Sequence, residues 1–183
     1  MAEYYFDIET YSPGERPNPD SDKIITIQFQ RIDLKTGKPR EGLVILKEWE
    51  SSEEQIVKEL HKRFFYDGGS IWNFIPVGYN LNFEWEFIIS KFEKYLGKKL
   101  ASKDLHYKIP HLDLKPIVVL LNDGNFVGAK LDKFTDKVQD GKVIKEYYEN
   151  KQFNKIEEYI KNETESFLKF LQKIKLNINK LIE

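Results

Sequence analysis

Cysteine is missing from this chain of 183 residues, and its absence removes disulfide frameworks, thiolate zinc sites and cysteine nucleophiles together. Histidine is nearly as scarce. Its three copies, His61, His106 and His111, are too scattered for a zinc site, so any metal must be held mainly by oxygen. No run of 18 apolar residues occurs, and no basic segment precedes the first apolar stretch, so neither a membrane span nor a signal peptide is expected. The expectation is a soluble, cytoplasmic protein. A strong charge of either sign is also missing. The 29 Lys and Arg set against 30 Asp and Glu leave a net −1, which argues against wrapping duplex DNA through overall positive charge but leaves local patches open. With 40% hydrophobic residues the chain suits one domain, residues 1–183, with a real core.

What is present begins with Tyr4-Tyr5-Phe6-Asp7-Ile8-Glu9-Thr10. An aromatic, β-favouring run reads as a buried strand, and its period of two points Asp7 and Glu9 to the same side. Two like charges side by side in a buried strand are costly unless a cation compensates them, and a hard divalent ion takes such carboxylates readily. Alone the pattern is weak, since among 30 acids about one such pair arises by chance. A strand end with solvent-facing acids is the competing explanation.

The rest of the chain alternates strands and helices. Lys23 to Ile32 and Gly42 to Leu46 read as further strands of an antiparallel meander, joined by a turn at Lys35-Thr36-Gly37-Lys38. A helix opens at Ser51-Ser52-Glu53-Glu54, with Ile56, Val57, Leu60 and Phe64 as its apolar face. Ile75 to Tyr79 is a strand, and a second helix follows from about Asn82 to Tyr95. Ile109 to Asp113 reads as a short strand, Lys115 to Leu121 is ambiguous between helix and strand, and a short helix is expected near Leu131 to Val138. The clearest element is a long helix over Asn154 to Ile174. Gly97 to Lys108 carries Lys98, Lys99, Lys103, His106, Tyr107 and Lys108, a mixture suited to phosphates and bases, or to a solvated loop.

Two segments bear on the opening pair. In Val77-Gly78-Tyr79-Asn80-Leu81-Asn82-Phe83-Glu84 a strand ends in a tight turn and an acid falls in the first turn of the next helix, where the helix dipole alone would favour it. On the long helix, Tyr159 and Glu163 lie four apart and share the face of Ile156, Ile160 and Phe167. An acid on the apolar face needs a reason, because helices normally turn charges outward.

Taken together, Asp7-x-Glu9, Gly78-Tyr79-Asn80-x-x-Phe83-Glu84 and Tyr159-x-x-x-Glu163 resemble the three exonuclease motifs of the DnaQ-like, or DEDD, 3′-to-5′ exonucleases. The resemblance is closest to the Tyr-containing branch, which includes the proofreading domains of family B DNA polymerases. It extends to His111-Leu112-Asp113-Leu114, similar to a segment that follows the second motif there. The sister branch uses His-x-x-x-x-Asp, but five residues after the three histidines stand Tyr66, His111 and Pro116. The chain departs from the family at Glu84 and Glu163, where Asp is usual; one methylene moves a carboxylate by about 1.5 Å, which matters to a metal that demands near-ideal octahedral geometry.

The resemblance implies an α/β, RNase H-like fold, a mixed five-stranded sheet flanked by helices, in a stand-alone nuclease. It implies two Mg²⁺ or Mn²⁺ ions roughly 3.5 to 4 Å apart, with Asp7 bridging them, Glu9 and Glu163 completing the water-activating site and Glu84 serving the second. Tyr159 would orient the water that attacks the terminal phosphodiester, releasing 5′-mononucleotides. Thr10, Tyr11, Asn80 and Phe83 would contact the substrate, although turn and capping roles stand beside this for the first three and a core role for Phe83. Trp72, Phe74, Trp85 and Phe87 read as core, and Asp113 as an ordinary strand-end acid. Single-stranded DNA is favoured over RNA as partner, with no membrane. A homo-oligomer is expected, its interface drawing on spare helix surface such as Phe167 to Ile178. Two alternatives remain: an exoribonuclease or other oligonucleotide-degrading enzyme of the same fold, and a catalytically silent module that binds nucleic acid.

Overall fold

A computed structural model of the chain describes residues 1–179 except 15, 67–68, 136–140 and 142. Strand β1 (Glu3–Tyr11) runs antiparallel to β2 (Lys23–Asp33), and their register sets Asp7 directly opposite Gln28. Between Glu9 and Thr10 the pairing slips. Glu9 faces Thr26 and Thr10 faces Ile24, leaving Ile25 without a partner on β1. A bulge of this kind bends the strand and re-aims neighbouring side chains, and bulges gather beside functional sites. β2 also pairs antiparallel with two short strands, β3 (Lys38–Pro39) and β4 (Val44–Lys47).

On its other edge β1 pairs in parallel with β5 (Ile75–Gly78), which pairs in parallel with β6 (Leu112–Asp113). The sheet order is β3-β2-β1-β5-β6, with β4 beside β2. It therefore has six strands rather than five. The additional one is β3, whose two residues are too few to register as an alternating pattern.

Helix α1 (Glu53–Phe64) begins at Ser52, whose side chain accepts the Gln55 N–H, satisfying one of the donors a helix start leaves open. Helix α2 (Leu81–Leu96) ends at Gly97 in the left-handed conformation, φ 65°, the backbone state that glycine adopts without a Cβ penalty. These two and α3 (Ser102–Lys108) cover one face of the sheet, where Phe6, Ile8, Ile27, Leu60, Trp85 and Ile88 are buried together. On the opposite face α4 (Lys115–Leu121) and α6 (Phe153–Asn179) enclose Tyr5, Val77, Val118, Phe167 and Leu171. Helix α5 (Val143–Glu149) packs Ile144 against Ile25, Ile156, Tyr159 and Ile160. Helices on both faces of a mixed sheet make a three-layer α/β arrangement. No described helix is long and apolar enough to cross a membrane.

Several sequence expectations need correction. The ambiguous stretch at 115–121 is helical, with Pro116 in the first turn, where the missing N–H costs nothing. Part of the Lys-rich stretch from Gly97 forms α3 rather than a loop. The helix expected over Leu131–Val138 is one 3₁₀ turn, Leu131–Lys133, and its end from 136 lies outside the described residues. Helix α5 went unforeseen, because seven residues are too few for the period to speak. Trp72 is 48% exposed, not core, whereas Phe74, Trp85 and Phe87 are buried. Phe167, Phe170 and Leu171 are buried within the chain, so the face of α6 proposed as an oligomer interface is already covered at those positions.

Candidate active site

The chain leaves the parallel strands β1, β5 and β6 at one end of the sheet, and such strand ends form the crevice where open α/β sheets bind ligands. Asp7 and Glu9 lie near the end of β1 and point to the α6 face, as alternation requires. Glu163 projects from α6 to meet them. Ligand oxygens of Asp7, Glu9 and Glu163 lie within 4.8 Å of one another, and all three side chains are half-buried.

Asp7 is the most heavily supported of the three. Its Oδ2 accepts from Gln28 Nε2 at 3.0 Å and from the Tyr5 hydroxyl at 3.2 Å. Gln28 is itself fixed, because its Oε1 accepts from Thr26 Oγ1 at 2.9 Å, and both polar residues are fully buried. Burial first, and the Asp7 charge next, hold the Tyr5 hydroxyl well above its ordinary pKa; Tyr5 is therefore a neutral donor. Tyr5, Thr26 and Gln28 were not singled out in the sequence. The signal was present: Thr26 and Gln28 interrupt the run Ile24-Ile25-Thr26-Ile27-Gln28-Phe29, and polar groups buried in a strand require polar partners on the neighbouring one.

Glu84 sits in the first turn of α2 and is only 4% exposed. Burial, and then the Asp7 charge, hold its carboxyl well above the usual carboxylate range, and a hydrogen bond links it to Asp7. Its Oε2 is buried without a hydrogen-bond partner. Glu84 thus stands against Asp7 but outside the group formed by Asp7, Glu9 and Glu163.

Tyr159 is buried one helical turn before Glu163 and hydrogen-bonds to it. Burial, followed by the charges of Glu9 and Glu163, drives the hydroxyl far above its ordinary pKa. It is a neutral donor and not a base. Ile25, freed by the bulge in β2, packs beneath it with Ile144 and Ile156.

The turn between β5 and α2 is held from outside. Asn80 is left-handed, φ 62°, and its side chain does not cap α2. Asp113 of β6 does so instead, accepting from Asn80 N at 2.8 Å and Leu81 N at 3.0 Å, while Lys115 Nζ donates to Asn80 Oδ1 at 2.6 Å. Asp113 is therefore more than a strand-end acid, since it positions the turn from which Glu84 follows. Gly78 makes this turn possible: a Cβ there would stand 2.5 Å from Leu81 Cδ2 and 2.8 Å from the Phe6 carbonyl oxygen.

Of the residues expected to meet substrate, Thr10 and Tyr11 are half-buried just past Glu9. The Tyr11 hydroxyl donates to Glu149 Oε1 at 3.2 Å, and its ring lies 5.0 Å from that of Tyr148. Phe83 is half-buried against the core, 5.0 Å from the Phe87 ring. Beside Asp7 and Glu163 opens a cleft of about 240 Å³ that is also lined by Tyr79, Lys130, Asp132 and Phe167. The Tyr79 hydroxyl donates to the Ala129 carbonyl, tying β5 to the far wall of the cleft.

The donor set suits a hard divalent cation. It consists of carboxylates converging from a strand and a helix, with a further buried carboxyl oxygen unpartnered beside them, and such ions take oxygen ligands.

No protein-family model matches the chain, and no curated protein matches it in sequence. Solved structures do match in fold. Exonuclease I of E. coli in complex with a dT13 oligonucleotide is 13% identical, with a TM-score of 0.50, over 66% of this chain and 29% of that one. Exonuclease I without ligand is 14% identical, with a TM-score of 0.50, over 72% of this chain and 35% of that one; its complex with the inhibitor BCBP gives the same values. The chain spans about a third of the length of these structures. The fold is α/β and RNase H-like, as expected.

Proposed function

We propose that this chain is a metal-dependent 3′-to-5′ exonuclease of the Tyr-containing DnaQ-like branch, which hydrolyses single-stranded DNA to 5′-mononucleotides. The observation that carries the reading is the convergence of Asp7, Glu9 and Glu163 within 4.8 Å beside the Tyr159 hydroxyl. Fold likeness to exonuclease I, one structure of which holds a dT13 oligonucleotide, supports single-stranded DNA as the substrate.

In this reading Asp7, Glu9 and Glu163 would hold Mg²⁺ or Mn²⁺, and Glu84 beside Asp7 would serve a second ion. Bound there, the metal supplies Lewis acidity and a water acidified enough to act as nucleophile near neutral pH. The protein's own groups do the positioning. Gln28 and Tyr5 hold the Asp7 carboxylate through its Oδ2, and such supporting bonds set ligand orientation. Tyr159, held neutral with its hydroxyl proton directed to Glu163, would orient the attacking water by accepting a hydrogen bond from it. Glu84 would serve a second ion only as an ionised carboxylate, because a ligating carboxyl must be deprotonated. Thr10, Tyr11, Asn80 and Phe83 flank the strand's 3′ end.

The test uses single-stranded DNA and RNA of equal sequence, labelled at the 5′ end, with Mg²⁺ or Mn²⁺ and with EDTA. Stepwise shortening of the DNA from its 3′ end, stopped by EDTA and by Asp7→Ala, is the expected result. Faster shortening of the RNA would make the enzyme an exoribonuclease. Shortening of neither strand with either metal defeats the proposal.

A further inference from the structure

We propose that a groove remote from the carboxylates is a second contact site for single-stranded nucleic acid, gripping the strand upstream of its 3′ end. One wall is the 3₁₀ turn before β5, with Ile71 and Trp72; the other is the end of α3 and the segment after it, with Tyr107, Lys108 and His111. Trp72 is 48% exposed and Tyr107 89%. Rings of this size normally bury most of their surface, so two held out on facing walls of one groove call for an explanation.

The surrounding charge indicates the occupant. Among the described residues, none lining the groove carries a carboxylate. Lys103, four residues before Tyr107 on α3, shares its face of the helix, and Lys98 and Lys99 lie just ahead of that helix, Lys99 at 3.2 Å from Glu93 Oε1. Single strands present bases and phosphates in alternation, and proteins hold them by stacking bases on aromatic rings while ammonium groups track the backbone. Aromatic rings interleaved with cations fit that pattern better than they fit an apolar protein surface, which would want a continuous hydrophobic patch. The placement is also suitable. His111 lies two residues before Asp113, which holds the Asn80 turn, whereas Trp72 lies at the opposite end of β5, about 20 Å away along the chain. A strand with its 3′ end at Asp7 on the α6 face would reach Trp72 and Tyr107 on the α3 side by passing over the β6 edge of the sheet, within the span of about 4 to 16 nucleotides that small single-strand binders use.

The direction of the strand rests on the exonuclease reading, but the groove can be tested without catalysis. The experiment uses the full chain carrying Asp7→Asn in EDTA. It measures fluorescence anisotropy with labelled oligothymidylates of about twenty and about three nucleotides, the latter too short to reach the groove. Tyr107→Ala and Trp72→Ala, both at exposed positions, are expected to weaken the long oligonucleotide about tenfold each, the size of one lost stacking contact, and to leave the short one unchanged. Unaltered binding of the long oligonucleotide in both variants overturns the proposal, as does its displacement by polyglutamate as readily as by unlabelled strand. A chain that loses affinity in these variants yet releases no nucleotide when Asp7 is restored and Mg²⁺ added keeps the groove and loses the exonuclease reading. A chain that degrades long and short strands equally well, with or without Tyr107→Ala, keeps the exonuclease reading and loses the groove.

Discussion

Replacing Asp7 by Asn should make the metal-free protein more stable and the metal-loaded protein less so. The ligand oxygens of Asp7, Glu9 and Glu163 lie within 4.8 Å of one another. Two unit charges at that separation repel by about 3.5 kcal/mol at an effective dielectric of 20, and by about 0.9 kcal/mol in water. Asp7 takes part in two of the three pairs. Because all three side chains are half-buried, the value near the solvated end applies, and neutralising Asp7 relieves about 2 kcal/mol. Opposing this, the bonds that Gln28, Tyr5 and Glu84 make to Asp7 lose their charge assistance, which costs about 1 kcal/mol in all. A net gain of about 1 kcal/mol corresponds to a rise of about 2–4 °C in Tm for a chain of this size. In Mg²⁺ the order reverses, because binding to the folded state alone adds about 2.7 kcal/mol at a hundredfold excess over Kd, and Asp7→Asn forfeits it. Thermal melts followed by circular dichroism, in EDTA and in saturating MgCl₂, read both effects. Should the variant melt no higher than the parent in EDTA, or gain as much from Mg²⁺ as the parent does, the three carboxylates are not a mutually repelling metal site.

Three further outcomes follow from the same geometry. Tyr159→Phe keeps the buried ring and removes the donor beside Glu163, so kcat on a labelled single strand should fall about a hundredfold while the Tm in EDTA scarcely moves; undiminished kcat would remove Tyr159 from the chemistry. Glu84 has a raised folded pKa, chiefly through burial, so its protonated form stabilises the fold fully below the ordinary carboxylate range and that contribution fades as pH rises through the raised value. In EDTA the parent should therefore lose stability relative to Glu84→Gln as pH increases, and parallel curves for the two proteins would contradict the burial argument. Gly78→Ala would force a methyl group to within 2.8 Å of the Phe6 carbonyl oxygen, and urea denaturation should report a loss of about 1–3 kcal/mol, a loss that an unstrained turn would not show.

How far the sequence could be read depended on whether a residue's partner was local. Asp7 and Glu9 were legible because alternation along one strand places them together, and Tyr159 with Glu163 because one helical turn does. The strands of the meander and helices α1, α2 and α6 were legible for the same reason, each carrying its period over enough residues to be read. Gln28 could not be assigned as the partner of Asp7 from periodicity, since that pairing depends on a register between β1 and β2 displaced by the bulge at Ile25. Capping of α2 by Asp113 was equally hidden, for the acceptor comes from a strand more than thirty residues later. Exposure of Trp72 ran against composition, because a large ring before a buried strand is expected to be core. The short elements β3 and α5 fell below the length at which a pattern exceeds chance.

The two positions at which the chain departs from its resemblance both bear the longer acid, and their surroundings differ. Asp7 and Glu9 belong to β1, which is paired on both edges and cannot shift. Glu163 must reach them from α6, and α6 stands off the sheet across the Tyr5 and Phe167 rings, whose centroids are 5.0 Å apart. An extra methylene adds about 1.5 Å of reach, and with it the Glu163 carboxylate arrives within 4.8 Å of both partners. Glu84 has no such gap to cross, being buried against Asp7, which with that burial raises its pKa. Shortening the two acids should therefore have different consequences. If Glu163 is a ligand as proposed, Glu163→Asp would withdraw it from an ion that tolerates little distortion, and the Mg²⁺ concentration needed for half-maximal thermal stabilisation should rise about tenfold or more, equivalent to about 1.4 kcal/mol. Glu84→Asp leaves the trio intact, so that concentration should stay within about twofold of the parent's. If Glu84→Asp weakens the Mg²⁺ response as much as Glu163→Asp does, the first ion depends on Glu84 as well, and the division of labour between the two long acids is wrong.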